Sequence, residues 1–184
     1  MRPQEPRIAA LSDDQLGPEA EEILAPFRER GPLLNIFRTL ANHPDLMRRW
    51  LVFANHVLGK STLPPREREL LILRIGYLCQ APYEWGQHVL IARREGMSDD
   101  EIRTAATGSE THGLSEKDHL LLLAAEELHS DAFVHDDTWE GLARYFSTEQ
   151  LMDIVFTVGQ YNLVSMALNS FGVQNDPGLP GFEI

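Results

Sequence analysis

Three side chains that can exchange protons lie close together in the chain: Glu69, Glu84 and His88. An imidazole titrates near neutral pH, and a neighbouring carboxylate orients the ring and favours its charged form. Glu84 and His88 are four residues apart, so a helix places them on the same face. The pattern is typical of acid/base chemistry, in which a positioned His gives a proton to a substrate or takes one from it. The same spacing also occurs in pairs that only stabilise a helix surface.

Two consecutive helices must position these groups. Pro64 and Pro65 suit a first helical turn, which needs no backbone donor, and Pro82 starts a second helix. Glu69 lies in an otherwise apolar part of the first helix, where a carboxylate is costly to bury unless it is paired. An antiparallel hairpin would bring it to His88. Burial would lower the pKa of this His and attraction to Glu69 would raise it, and the sequence leaves the balance open.

Three further residues are candidates for substrate binding: Tyr83, Trp85 and His56. The two aromatic residues flank Glu84, so they could shape a pocket around it. His56 shares a helix with apolar residues at helical spacing and could line the same pocket. The alternative for all three is a purely structural role, in the core or at a subunit interface.

Cys79 is the only cysteine in the chain. Thiol peroxidase chemistry needs an attacking thiolate and a resolving thiol. Because the second sulfur is missing, we expect Cys79 to be a small buried residue, and a thiol-dependent peroxidase is the weaker functional alternative.

The composition favours one soluble domain. The chain has 184 residues, 43% of them hydrophobic, and a net charge of −12, which disfavours nucleic acid and anionic membranes as partners. We expect a single domain over residues 1–184, with an N-terminal arm at 1–17 and a C-terminal tail at 173–184. No signal peptide pattern precedes it, so a cytoplasmic location is expected. The apolar segment 151–172 contains several polar residues, which makes it a poor candidate for a membrane span.

Helical signals run through most of the chain, and no alternating pattern is long enough for a sheet. The fold class predicted is therefore all-α, a single-domain helical bundle with a central helical hairpin. The last long helix is apolar on most sides, which favours a place in the core or between subunits. The segment 129–137 is expected to be a connection; its two His and three Asp match no standard metal-ligand spacing.

The run RERELLILRIGYLCQAPYEWGQHVLIARREGMSDDEI, residues 66–102, resembles the core of the carboxymuconolactone decarboxylase family, to which the alkylhydroperoxidase D-like peroxidases also belong. Peroxidase members carry a CxxC pair followed four residues later by His, with a Glu on the preceding helix. His88 and Glu69 match that His and Glu, whereas Ala81 and Glu84 occupy the two Cys positions. The chain is therefore similar to a thiol-free, decarboxylase-type branch with a YEWxxH motif.

This resemblance implies an alkylhydroperoxidase D-like fold and acid/base catalysis without a cofactor or metal, on a small-molecule carboxylic acid or lactone. His88 would be the proton donor or acceptor, Glu69 would orient and charge it, and Glu84 would be a second proton relay or would orient the substrate. The family also implies a homo-oligomer, a trimer or a hexamer. The alternative is a non-catalytic ligand-binding or assembly module on the same fold, in which the three residues only hold the hairpin together.

Overall fold

The computed structural model describes residues 3–184 and is built from helices. No β-strand occurs in that range. A single 3-10 turn, Asp13–Gln15, precedes the first α-helix. The α-helices are α1 (Pro18–Arg28), α2 (Asn35–Leu40), α3 (Pro44–Gly59), α4 (Pro65–Leu78), α5 (Pro82–Arg94), α6 (Asp99–Thr107), α7 (Glu116–Asp131), α8 (Asp136–Leu142) and α9 (Thr148–Phe171). The all-α prediction is confirmed.

Local sequence signals explain where the helices begin and end. Pro65 and Pro82 occupy the first turns of α4 and α5, as predicted. Ser98 and Ser147 cap α6 and α9, each with a side chain three residues later that completes a capping box. Gly172 ends α9 at φ 69°, in the left-handed region that Gly adopts without strain.

Helix α4 is the centre of the molecule. Every residue from Glu67 to Gly76 is buried, because α5, α6, α7 and α9 pack around the helix. Its apolar side chains, such as Leu71 and Ile72, join Leu121 of α7 and Val158 of α9 in the main hydrophobic core. A second apolar cluster holds α1, α2 and α3 together. Because the neighbouring helices all pack against α4, this helix determines where the side chains of the site lie.

Helix α9 packs against α3, α4, α5 and α7. By length and hydropathy alone it could cross a membrane, although the sequence indicated a poor candidate. Half of its most apolar window is buried inside the protein, as in the core helix of a globular protein. Its outer face leaves four large apolar side chains exposed: Met152, Phe156, Leu163 and Met166.

The segment 129–137 is not only a connection, and this prediction was wrong in part. Helix α7 continues to Asp131, and α8 begins at Asp136. Glu127 of α7 holds the start of α8, since its carboxylate accepts a hydrogen bond from the Thr138 hydroxyl at 2.8 Å. Gly141 then allows close packing, because a Cβ there would lie 2.8 Å from the Leu120 side chain. These contacts join distant residues, so local composition did not indicate the helix.

The C-terminal tail, residues 173–184, packs against α5. The Trp85 indole N–H donates to the Gly181 carbonyl at 2.8 Å. Gly86 lets the tail approach, since a Cβ at this position would lie 2.8 Å from the Pro180 carbonyl oxygen. The tail is therefore part of the wall that supports the start of α5.

Candidate active site

Glu69, His88 and Glu84 form one continuous buried chain of contacts. His88 Nδ1 lies 2.6 Å from Glu69 Oε2, and His88 Nε2 lies 3.0 Å from Glu84 Oε1. Glu69 has no exposed surface, and the other two side chains are almost fully buried. The approach of Glu69 to His88 that the sequence indicated is present, with an imidazole held between two carboxylates.

The α4–α5 hairpin produces this geometry. The chain turns between the helices at Gln80, which has a positive φ of 50°. Gly76 of α4 faces the first turn of α5, where a Cβ would lie 3.6 Å from Glu84 Cγ. A Cβ there would make ordinary van der Waals contact, so the two helices approach closely at this crossing, and helical spacing then places His88 one turn beyond Glu84.

Arg68 is a fourth charged member that the sequence did not single out. Its Nε and Nη2 atoms lie 3.1 and 3.0 Å from Glu69 Oε1. Glu69 therefore has a positive partner on each of its oxygens when His88 is protonated. With both carboxylates ionised, the two positive and two negative charges of this cluster cancel, as the burial of charge requires. Adjacent residues rarely share a helix face, so the sequence gave no reason to join Arg68 to Glu69.

His88 is held in its charged form. Burial alone would lower its pKa, but the charges of Glu69 and Glu84 and the hydrogen bonds to them outweigh burial. Together they raise the pKa of His88 from 6.5 to about 10. The imidazole is consequently an imidazolium at neutral pH, with Nδ1–H donating to Glu69 and Nε2 in ion-pair contact with Glu84.

A cavity of about 190 Å³ lies beside this chain of contacts. It is smaller than the roughly 300–1,000 Å³ of pockets for drug-sized ligands, so it suits a small metabolite. Glu84 and His88 line it from α5, and Gln160 and Tyr161 line it from α9. The remaining wall is mainly apolar and comes from the α1–α3 region and from nearby turns of α5 and α9: Phe27, Arg30, Leu34, Ile36, Phe37, Trp50, Leu51, Ala54, Asn55, Leu58, Tyr83, Gln87, Ile91 and Val164.

Tyr161 packs directly against the imidazole. The two rings meet edge to face, with centroids 4.8 Å apart. Burial and then the charges of Glu84 and Glu69 raise the pKa of Tyr161 well above its ordinary value. Its hydroxyl therefore stays protonated and can act as a neutral hydrogen-bond donor. In the sequence, Tyr161 is one of several polar residues of the apolar segment 151–172.

Tyr83 lines the cavity, as the sequence suggested, but its hydroxyl is engaged elsewhere. It donates to Asp176 of the tail at 2.5 Å and accepts from the Ile36 backbone N–H at 3.2 Å. Asp176 also accepts from the Gln87 amide at 2.9 Å. Burial and the hydrogen bond to Asp176 raise the pKa of Tyr83. Only the ring is available to a ligand, and the hydroxyl serves to hold α2, α5 and the tail together.

Trp85 and His56 do not reach this cavity, so the structure does not support their assignment to substrate binding. Trp85 is fully buried in the main core, where its ring packs against Tyr77 and Phe182. His56 is exposed on α3, and its neighbour Asn55 lines the cavity instead. In a helix each residue is rotated by about 100° from the one before it, so adjacent positions face different directions.

Cys79 lies outside the site. Its thiol contacts Asn162 Oδ1 at 3.0 Å and His129 Nδ1 at 3.8 Å. The residue is partly rather than fully buried, contrary to the expectation of a buried position. Within residues 3–184 no group of His, Cys, Asp and Glu side chains is arranged to hold a metal ion, and this includes the segment 129–137.

The part of the sequence that matches a known protein family includes the α4–α5 hairpin. Residues 44–127 match the model of the carboxymuconolactone decarboxylase family. Glu69, Glu84 and His88 all lie within this match, whereas Gln160 and Tyr161 lie beyond it. No curated protein matches the chain.

Solved structures with the alkylhydroperoxidase D-like fold superpose on nearly the whole chain. An uncharacterized peroxidase-related protein from Ralstonia eutropha, described as an alkylhydroperoxidase AhpD core, has a TM-score of 0.82 at 19% identity, over 94% of this chain and 93% of that one. An uncharacterized peroxidase-related protein from Silicibacter sp. has a TM-score of 0.81 at 18% identity, over 100% and 99%. The debrominase Bmp8, solved with 2,3,4-tribromopyrrole, has a TM-score of 0.75 at 17% identity, over 95% and 94%. These likenesses confirm the predicted fold.

Proposed function

We propose that the protein is a cofactor-free acid/base enzyme of the thiol-free, YEWxxH branch of the carboxymuconolactone decarboxylase family. Its substrate would be a small organic acid or lactone that loses CO₂ or exchanges a proton at carbon. The observation that carries this proposal is the buried imidazole between Glu69 and Glu84, at the wall of a small cavity. The family match over residues 44–127 supports the same reaction class.

Glu84 is the group that transfers the proton in this proposal. Both ring nitrogens of His88 already hold carboxylates, whereas Glu84 Oε2 has no hydrogen-bond partner in the described part of the chain. Glu84 also lines the cavity. This refines the sequence-based roles, in which His88 itself exchanged the proton and Glu84 was a second relay or oriented the substrate. Because Nδ1 faces Glu69 and Nε2 faces Glu84, the ring presents no free nitrogen to a substrate, and a proton that leaves Nε2 passes through Glu84.

Decarboxylation then proceeds as follows. The bond between the substrate carboxylate and the neighbouring carbon breaks, CO₂ leaves, and the electron pair is held as an enolate. The proton on His88 Nε2 moves to Glu84, and Glu84 delivers it to the carbon. Glu69, anchored by Arg68, fixes the ring and stabilises the imidazolium before this transfer. A proton from water restores the starting state.

Two alternatives remain with less support. A thiol-dependent peroxidase would need a sulfur at the site, and the Cys79 thiol contacts Asn162 and His129 instead. Bmp8 is a debrominase with a similar fold, but a shared fold at 17% identity does not indicate that this protein has the same activity. A non-catalytic module on the same fold would need the buried cluster only for stability.

The experiment compares wild type with His88→Ala and Glu84→Gln on a panel of lactone carboxylates and β-keto acids. Release of CO₂ and incorporation of deuterium at carbon are followed by NMR in deuterium oxide. Each variant should lose about 10²–10⁴-fold in rate, because a positioned acid/base group contributes that much. The exposed His112 gives a matched control, His112→Ala, with unchanged rates. Folded variants with wild-type rates would refute the catalytic assignment.

We also infer that the protein assembles as a homo-oligomer, a trimer or a hexamer, in the cytoplasm. The exposed apolar side chains of α9 support an interface on that helix. Their burial between copies would remove an apolar patch from water.

A further inference from the structure

Gln160 is a buried amide that the protein leaves without a partner. Its side chain is 3% exposed, and neither Oε1 nor Nε2 makes a hydrogen bond within the described chain. Native structures keep few such groups, because removing an amide from water without replacing its hydrogen bonds is unfavourable. Gln160 also lines the cavity that holds Glu84 and His88. Its position therefore links the unpartnered amide to the site.

The two other unpartnered polar groups on α9 differ from Gln160. Thr157 and Ser165 are buried, and their hydroxyl oxygens have no partner. A helical Ser or Thr hydroxyl can rotate towards the carbonyl of the preceding turn. Neither residue lines the cavity. Of these three residues only Gln160 lines the cavity, so a ligand there is the partner that its amide can meet.

Tyr161 adds a second neutral donor at the same wall. Its hydroxyl has no hydrogen-bond partner among residues 3–184, and its ring contacts the His88 ring. The cavity thus has carboxylate and imidazolium groups on α5 and neutral hydrogen-bonding groups on α9. Abstraction of a proton next to a carbonyl needs both kinds of group: a base for the proton, and donors for the oxygen that becomes negative.

We propose that Gln160, assisted by the Tyr161 hydroxyl, binds the carbonyl oxygen of a small enolisable substrate beside Glu84. This assignment rests on the proposed function and names its substrate class. Both amide atoms of Gln160 are buried in the structure, so binding in this proposal requires a rotation of the side chain that turns Nε2 towards the substrate oxygen. The substrate C–H bond breaks, its proton goes to Glu84, and the electron pair moves onto the carbonyl oxygen, which accepts hydrogen bonds from Gln160 and Tyr161. The reverse steps return the proton to carbon.

The test uses levulinate, a keto acid, and pentanoate, the same chain without the ketone. Dissociation constants of both are measured by ligand-observed NMR for wild type, Gln160→Leu and the control Thr157→Val. Wild type and Thr157→Val should bind levulinate about threefold to tenfold more tightly than pentanoate, the contribution of one hydrogen bond. Gln160→Leu should lose this preference. A wild type without the preference, or a Gln160→Leu protein that retains it, would overturn the inference.

Deuterium exchange next to the levulinate ketone is measured in the same samples. Exchange that His88→Ala abolishes, with a ketone preference independent of Gln160, would leave the proposed function in place and reject the role of Gln160. A ketone preference that Gln160→Leu removes, without any exchange by wild type, would support the binding role and count against catalysis. The measurements can therefore reject the role of Gln160 and the proposed catalytic function independently of each other.

Discussion

The charge on His88 decides which side chain of the cavity can move a proton. Glu69 and Glu84 each hold one ring nitrogen, and Arg68 neutralises the inner carboxylate. The sequence predicted the meeting of Glu69 with His88, because a carboxylate in an apolar helix must find a partner. It could not predict the direction of the pKa shift, which depends on how closely both carboxylates approach the ring.

The titration of His88 tests this arrangement. Its pKa of about 10 should appear in the NMR chemical shifts of the imidazole, with no titration near 6.5. Glu69→Gln removes the nearer negative charge, so the pKa of His88 should fall. Glu84→Gln should lower it as well. A wild-type His88 that titrates near neutral pH would contradict the buried ion cluster.

The unpartnered amide of Gln160 should lower the stability of the unliganded protein. Gln160→Leu removes two unpartnered polar atoms and keeps a similar volume, so the free energy of unfolding should rise by about 1–2 kcal/mol. Urea denaturation measures this change. The control is Gln87→Leu: the Gln87 amide donates to Asp176 at 2.9 Å, so that variant should be less stable than wild type. Loss of stability in Gln160→Leu would mean that its amide has a structural role.

At the scale of elements, the hairpin was predictable and its surroundings were not. The prolines at the starts of α4 and α5 and the apolar run after Glu69 are local signals, and they sufficed to predict both helices and where each begins. Trp85 and His56 lie outside the cavity, because rotation about a helix axis is set by packing against other helices. Asp176 was missed since its partners lie far away in the chain.

The contact between α5 and the tail gives a paired prediction. Gly86→Ala would place a Cβ 2.8 Å from the Pro180 carbonyl oxygen, so the tail must shift. Overpacking of this kind costs about 1–3 kcal/mol, which exceeds the roughly 0.5–1 kcal/mol gained from Ala in a helix. At Gly159, a Cβ meets nothing within 4 Å, and Gly159→Ala should be stabilising. Thermal unfolding of both variants would show opposite shifts, and equal shifts would contradict the close approach of the tail.

For the whole molecule, the raised pKa of His88 implies a stability that depends on pH. The folded pKa exceeds the unfolded value of 6.5, so the contribution of His88 is complete below pH 6.5 and disappears as the pH rises towards about 10. Urea midpoints should fall over this window. His88→Leu should flatten the decrease, and an unchanged slope in that variant would assign it to other groups.

Assembly is the second property of the whole molecule. Leu163 and Met166 are about half exposed on the outer face of α9. Leu163→Glu and Met166→Glu should each shift the protein to a smaller species in sedimentation velocity, because a charge in an apolar interface is costly. Phe133→Glu is the control at another exposed apolar position. A monomeric wild type would refute the oligomer.

The tail that braces α5 also fixes when the support of this helix can be completed during synthesis. Tyr83 and Asp176 are 93 residues apart, and Trp85 and Gly181 are 96 apart. At a translation rate of about 5–20 residues per second, α5 leaves the ribosome roughly 5–20 s before these partners. Until the tail has been synthesised, the hairpin that bears Glu69 and His88 therefore lacks the hydrogen bond from the Trp85 indole to the Gly181 carbonyl.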